Sequence, residues 1–216
     1  MANAAKNKGD KGERDAVEAL VLRVPHLLYQ DRKPMRALGA GRRDDEGDLR
    51  VVPGTSIQVK CWKNLSRACR EAADGAVRQA RNAQNRYALG MVPIPRASTA
   101  VGSLRWLAVA YQWPGGPDQW EPVPTFGLTK DAVAHLRSAF GGRVPLSLRM
   151  VRVRSQGVRT MYIAPIEAWL EAYAQDTGQP FLVPDDYVTP AAWDDDLEDL
   201  EATESAGELV GAAERW

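Results

Sequence analysis

The stretch from residue 49 to residue 89 constrains the fold more than any other part of the chain. Two short apolar-rich runs, 49–52 and 56–61, are separated by Pro53 and Gly54, and a long helical pattern over 66–89 follows them. Pro fixes φ and Gly enters the left-handed region without strain, so the pair signals a turn between two strands. In the second run Ile57, Val59 and Cys61 alternate with Gln58 and Lys60. Successive strand side chains point to opposite faces, so one face is apolar and the other carries an amide and an amine. The helical pattern places Ala68, Ala72, Ala76, Ala80, Ala83 and Tyr87 on one stripe and Arg67, Arg70, Arg78, Arg81 and Arg86 elsewhere. Gly90 is its predicted end. A hairpin that feeds a helix with so narrow an apolar stripe needs a sheet for the helix to lie on.

Around this centre the pattern alternates in the same way. Residues 11–24 read as a first helix with Asp10 as N-cap and Pro25 closing it. Runs 91–94 and 104–111 have strand length. The Pro- and Gly-rich stretch 112–124 reads as a linker. Beyond it, 129–140 predicts a helix, 146–154 and 160–163 predict strands, and 165–174 predicts a helix with Pro165 at its first position. From about residue 176 the chain is acidic and poor in apolar residues, which predicts a flexible tail. The expected division is a main α/β domain over 1–115, an accessory α+β segment over 122–175 and an acidic tail over 176–216.

Charge narrows the partner. The formal net charge of zero hides a segregation: residues 1–160 hold 27 Lys or Arg against 14 Asp or Glu, and residues 161–216 hold 1 against 14. A basic body implies a polyanion such as nucleic acid. The chain has no apolar run long enough to span a bilayer and its first residues lack the apolar stretch of a signal peptide, so a cytoplasmic protein without membrane contact is expected. Two cysteines, Cys61 and Cys69, form neither a zinc spacing nor a disulfide framework, and they are expected to be reduced thiols. The two histidines, His26 and His135, are too few for a histidine-based hydrolytic site.

The polar residues of the hairpin carry the chemistry. Hydrolysing a phosphodiester with a metal needs oxygens to hold Mg²⁺ and a group that orients or deprotonates water. Asp48 opens the first strand, and Gln58 and Lys60 share one face of the second. A two-residue Pro53-Gly54 turn would put Asp48 on the wrong face, so an odd loop of three or five residues, or a bulge, is expected to set Asp48 opposite Lys60. Glu13 lies on the inward stripe of the first helix, three and four residues before Ala16 and Val17, where a carboxylate needs a partner. Asp10-x-x-Glu13 also has the spacing of a capping box, in which Glu13 serves the helix start.

These matches, Lys11-Gly12-Glu13, Gly47-Asp48-Leu49 and Gln58-Val59-Lys60 followed by the helix with Gln79 and Ala80, resemble the archaeal-type and phage-type Holliday junction resolvases of the PD-(D/E)XK nuclease superfamily. The resemblance covers roughly residues 8–111. It implies a restriction-endonuclease-like fold, a central mixed sheet flanked by helices, with the C-terminal α+β segment and acidic tail as extensions. It also implies a Mg²⁺ site, with Mn²⁺ able to substitute, in which Asp48, Gln58, Glu13 and the Val59 carbonyl are ligands. Lys60 then positions or activates the attacking water. Gln58 departs from the family, which usually has a carboxylate there; an amide oxygen ligates without adding charge, and Gln is tolerated at this place in related nucleases.

The expected function is DNA endonuclease activity, ranked first as resolution of branched DNA by a homodimer. The alternatives are a nuclease of repair, restriction or packaging, and a DNA-binding protein that keeps the fold without catalysis. Arg42, Arg43, Trp62, Lys63, Arg78 and Arg81 are the expected DNA contacts, and the acidic tail is a candidate site for a protein partner.

Overall fold

In the computed structural model, residues 4–23, 35–36, 47–94, 106–116, 123–140 and 149–179 are described. The elements run α1 (Ala4–Arg23), β1 (Met35–Arg36), β2 (Leu49–Arg50), β3 (Thr55–Val59), α2 (Leu65–Ala83), β4 (Tyr87–Pro93) and β5 (Trp106–Ala110). They continue with β6 (Thr125–Phe126), α3 (Thr129–Phe140), β7 (Val151–Val153), β8 (Met161–Pro165) and α4 (Ile166–Thr177). The strands form one mixed sheet in the order β1-β2-β3-β4-β5-β8-β7-β6. β3 and β4 are parallel, joined through α2, and β6 and β7 are parallel, joined through α3. The other neighbours are antiparallel.

Helices cover both faces, because the central strands are apolar on both sides. On one face Ala16 and Leu20 of α1 and Trp169 and Leu170 of α4 pack on Ile57, Leu89, Met91 and Ala108. On the other, Ala68, Cys69 and Ala72 of α2 and Leu136 of α3 pack on Val92, Val109 and Ile163. Each large side chain withdrawn from water contributes about 1.5–3 kcal/mol. Among the described residues no helix is long and apolar enough to cross a membrane.

The alanine stripe of α2 is what brings that helix so near the sheet. A Cβ on Gly90 would stand 2.8 Å from the Ala72 Cβ, so only glycine fits beneath the helix there. This corrects the expectation that Gly90 ends the helix: it lies inside β4. The stop comes earlier, at Gln84, which takes the left-handed conformation (φ 56°). Its N–H bonds to the Ala80 and Arg81 carbonyls. At the other end Asn64 Oδ1 accepts from the Arg67 N–H at 2.8 Å, capping the first turn. α1 also departs from expectation. It begins at Ala4, so Asp10 and Glu13 both lie inside the helix and the capping-box reading of Glu13 fails.

The described strands after residue 123 add to the same sheet. β8 pairs with β5, Val109 opposite Ile163, and so continues the same sheet. α4 then returns beneath the first hairpin, where the Tyr173 hydroxyl donates to the Pro53 carbonyl at 3.0 Å. The last residue of α1, Arg23, is fully buried beside Glu167 in the first turn of α4. Arg23 Nε donates to Glu167 Oε1 at 2.6 Å and Nη1 to the Ala19 carbonyl at 2.8 Å. This buried ion pair ties the first helix to the last described one. The acidic tail beyond residue 179 lies outside the described residues.

Candidate active site

Asp48 is aimed by an irregularity at the start of β2. Its N–H donates to the Ile57 carbonyl at 2.8 Å, while Leu49 is the register partner of the same Ile57. Two residues therefore oppose one, which is a β-bulge. Gly47 makes it possible: its φ of +135° disfavours side chains, and a Cβ there would stand 3.2 Å from the Ile57 nitrogen. The bulge turns the Asp48 carboxylate over β3. Its Oδ2 accepts from the Val59 N–H at 2.8 Å and from Gln58 Nε2. The expected partner was Lys60. The observed register falls two residues short of it, which keeps Asp48 on the same face, so Asp48 meets Gln58 and Val59 instead.

Gln58 is buried and makes the next link. Its Oε1 accepts from Gln79 Nε2 of α2 at 2.8 Å, and Gln79 is buried as well. Room for the Gln58 side chain comes from Gly75, one helical turn before Gln79, where a Cβ would fall 2.7 Å from Gln58 Oε1. The result is a buried relay in which each amide nitrogen donates to the next oxygen, running from Gln79 through Gln58 to Asp48. Asp48 receives a backbone donor and a side-chain donor, the arrangement that satisfies a half-buried carboxylate.

Lys60 follows the last residue of β3, and its N–H donates to the Met91 carbonyl at 3.0 Å, which continues the ladder to β4. By strand alternation it stands on the Gln58 face. Its side chain is partly buried, with Nζ 5.9 Å from the centre of the Trp62 ring. Glu13 approaches from the helix on the other face. A Cβ on its neighbour Gly12 would sit 2.1 Å from Cys61 Sγ, so α1 touches the chain just past Lys60 and only glycine permits the contact. Glu13 is partly buried at that turn.

Asp48, Gln58, Val59 and Gln79 thus form one hydrogen-bonded cluster; Lys60 comes next at the end of β3, and Glu13 follows Gly12 where α1 meets Cys61. Among the described residues no group of three or more His, Cys, Asp and Glu could hold a metal ion. Any oxygen set here has to include the amide or the backbone. Of the expected DNA contacts, Trp62, Lys63, Arg78 and Arg81 are exposed. Arg67 also lies on the Trp62 ring, 4.9 Å from its centre. Arg42 and Arg43 lie outside the described residues. Cys69 has no nucleophilic use, because burial pushes its thiol up to about 12.

The role of Gln79 was missed, although a signal for it exists: it is an amide within the alanine stripe, where a buried polar group needs a partner. Gly75 carries the same kind of signal, a glycine inside a helix otherwise rich in alanine. Compared with protein-family models, with curated proteins and with solved structures, the chain returns no match.

Proposed function

We propose that this chain is a metal-dependent DNA endonuclease of the PD-(D/E)XK kind, its restriction-endonuclease-like core built from α1, β1, β2, β3, α2 and β4. The observation that carries the reading is the bulge that turns Asp48 over the end of β3 against Gln58 and Val59, with Lys60 next on the same face. A bulge costs regular pairing, and such irregularities re-aim a side chain beside active sites.

The residues fit a hard cation under one condition. Mg²⁺ prefers oxygen ligands and keeps several waters, so a single carboxylate with an amide and a carbonyl oxygen suffices. Gln58 turns its NH₂ to Asp48 and its oxygen to Gln79. Both partners are primary amides, so both can turn over about their last side-chain bond. The Gln58 oxygen then faces Asp48, and the bond between the two glutamines survives with donor and acceptor exchanged. Asp48, Gln58 and the Val59 carbonyl would hold Mg²⁺ or Mn²⁺, with Glu13 as a further carboxylate. Such an ion polarises the phosphoryl oxygen and makes water a better nucleophile. Lys60 holds a positive charge where negative charge develops and orients the attacking water. Trp62, Lys63, Arg78 and Arg81 hold the DNA backbone. Branched DNA, cut at two symmetric strands by a homodimer, is the substrate ranked first.

Nicking of supercoiled plasmid with and without Mg²⁺ tests the activity, and a synthetic four-way junction beside linear duplex and flaps tests the substrate. Cleavage is expected to need the ion. It is expected to disappear in Asp48→Asn and in Lys60→Ala while DNA binding persists, because neither residue supplies most of the phosphate contacts. Full activity in either variant overturns the assignment. The Gln58 NH₂ facing Asp48 favours one second reading, a DNA-binding protein without catalysis. Binding with no nicking under Mg²⁺ or Mn²⁺ selects it.

A further inference from the structure

The outer stripe of α2 carries four exposed arginines, Arg67, Arg70, Arg78 and Arg81, at spacings that keep them on one helix face. At 1.5 Å per residue the ridge is roughly 21 Å long. It begins at the candidate active site, since Arg67 and Lys60 both lie on the ring of Trp62, at 4.9 and 5.9 Å from its centre. Of the two acids on this side of the helix, Glu71 is half-buried at the edge of the stripe and Asp74 accepts from the Tyr111 hydroxyl at 2.7 Å. Arg159 lies over the same tyrosine, 4.6 Å from the ring centre.

From there the positive surface passes to the turn between β7 and β8. Arg70, Tyr111, Ser155 and Arg159 line one shallow depression. It shares Ser155 and Arg159 with an open hollow of about 790 Å³ formed by residues 154–160, which also includes Arg154. This turn is held in place: the Ser155 hydroxyl donates to the Gly127 carbonyl at 2.6 Å and the Arg154 N–H to the Phe126 carbonyl at 2.9 Å. None of the six arginines forms an ion pair with a described carboxylate. Here Arg67 and Arg159 are already seated on rings, which lowers the ordering cost of binding an anion.

We infer that the α2 ridge and the β7–β8 turn form one continuous track for the phosphate backbone of duplex DNA, leading away from Lys60 through Arg67 and Arg70 to Arg159 and Arg154. That the polyanion is DNA rests on the nuclease reading above. Its duplex form follows from the rings. Single-strand binders stack successive bases on open aromatic faces, whereas Trp62 and Tyr111 each give a face to guanidinium. The track therefore contacts phosphates. It also gives the β7–β8 turn, outside the region of family resemblance, a share in substrate binding.

The test is binding of a duplex of about 25 base pairs, and of one of its single strands, by the full chain in EDTA over a salt series. The wild type is compared with the double variant Arg70→Ser/Arg159→Ser and with Lys130→Ser, an exposed lysine on α3 outside the track. Each lost phosphate contact lowers the slope of log K against log salt by about 0.9, so the double variant is expected to fall by about 1.8 and Lys130→Ser to stay at the wild-type value. Thermal denaturation checks that the variants fold. A double variant that keeps the wild-type slope and affinity overturns the track. A loss confined to the single strand, or an equal loss in Lys130→Ser, overturns it too. Because no metal is present, the expected slopes in a chain that never nicks DNA would leave the track standing and overturn the nuclease reading alone.

Discussion

Replacing Gln58 by Glu puts a second carboxylate beside Asp48 with almost no change of volume. In the native chain Gln58 Nε2 donates to Asp48 Oδ2, and Gln79 Nε2 donates to Gln58 Oε1 at 2.8 Å. Gln79 can donate equally well to a carboxylate, so the variant keeps that bond and loses only the donor facing Asp48. A hydrogen bond to a charged group is worth about 1.5–3 kcal/mol, and two like charges about 4 Å apart repel by about 4 kcal/mol at an effective dielectric constant of about 20. Proton uptake caps this penalty. Protonating a carboxyl of ordinary pKa about 4.3 costs roughly 3.7 kcal/mol at pH 7 and about 1 kcal/mol at pH 5. The new carboxyl then donates to Asp48 as the amide did.

The folded variant therefore binds a proton that the unfolded chain has released, and its stability falls as pH rises above about 4.3. Thermal and urea unfolding at pH 5.5 and pH 8, with and without Mg²⁺, checks this. Relative to wild type, the variant is expected to lose up to about 5 kcal/mol at pH 8 and about 1.6 kcal/mol at pH 5.5. Mg²⁺ is expected to restore most of the loss at pH 8, with half-saturation at a lower concentration than in wild type, since the ion relieves the repulsion. A variant as stable as wild type at both values, with the same response to Mg²⁺, would refute both the contact with Asp48 and the place of Gln58 in an ion site.

Two further predictions concern the frame that holds the site. Glu167→Ala leaves the Arg23 guanidinium buried without its carboxylate and is expected to cost about 3–5 kcal/mol, read as a shift of the denaturant midpoint, while Arg23→Met/Glu167→Leu recovers most of the loss; a single variant within 1 kcal/mol of wild type would show the pair to be solvated. Gly12→Ala drives a methyl group to 2.1 Å from Cys61 Sγ, which is expected to cost about 1–3 kcal/mol by overpacking. Cys61→Ala in the same chain makes room and is expected to restore the stability, whereas no rescue would mean that α1 does not pack there.

Much of the core was legible because local periodicity encodes it. The alternation of Ile57, Val59 and Cys61 with Gln58 and Lys60 predicts a strand with two unlike faces, and the helix over Thr129–Phe140 has its expected limits. The coarse α/β architecture follows from such patterns. What was missed depends on contacts between distant parts of the chain. β1 is two residues long and has no period to detect. Gly90 reads as a helix stop until α2 is known to cross β4 above it. The joining of β8 to β5 and the Arg23–Glu167 pair, 144 residues apart, are long-range pairings that no window of sequence contains. At the site, Asp48, Gln58 and Lys60 are visible as polar residues on one side of a hairpin. The bulge that chooses which of them meet depends on Gly47, whose φ is a property of the folded backbone.

The central position of β5 bears on how far the chain can be shortened. Every residue of β5 is buried, and it is flanked by β4 on one side and β8 on the other. β5 ends at Ala110. A chain stopped there would leave a fully apolar strand as an open edge, with unpaired backbone N–H and C=O groups inviting other chains to add to it. The C-terminal strands thus act as a seam cover. A chain shortened to that point would need some other guard for the edge, such as a charged strand or a partner subunit.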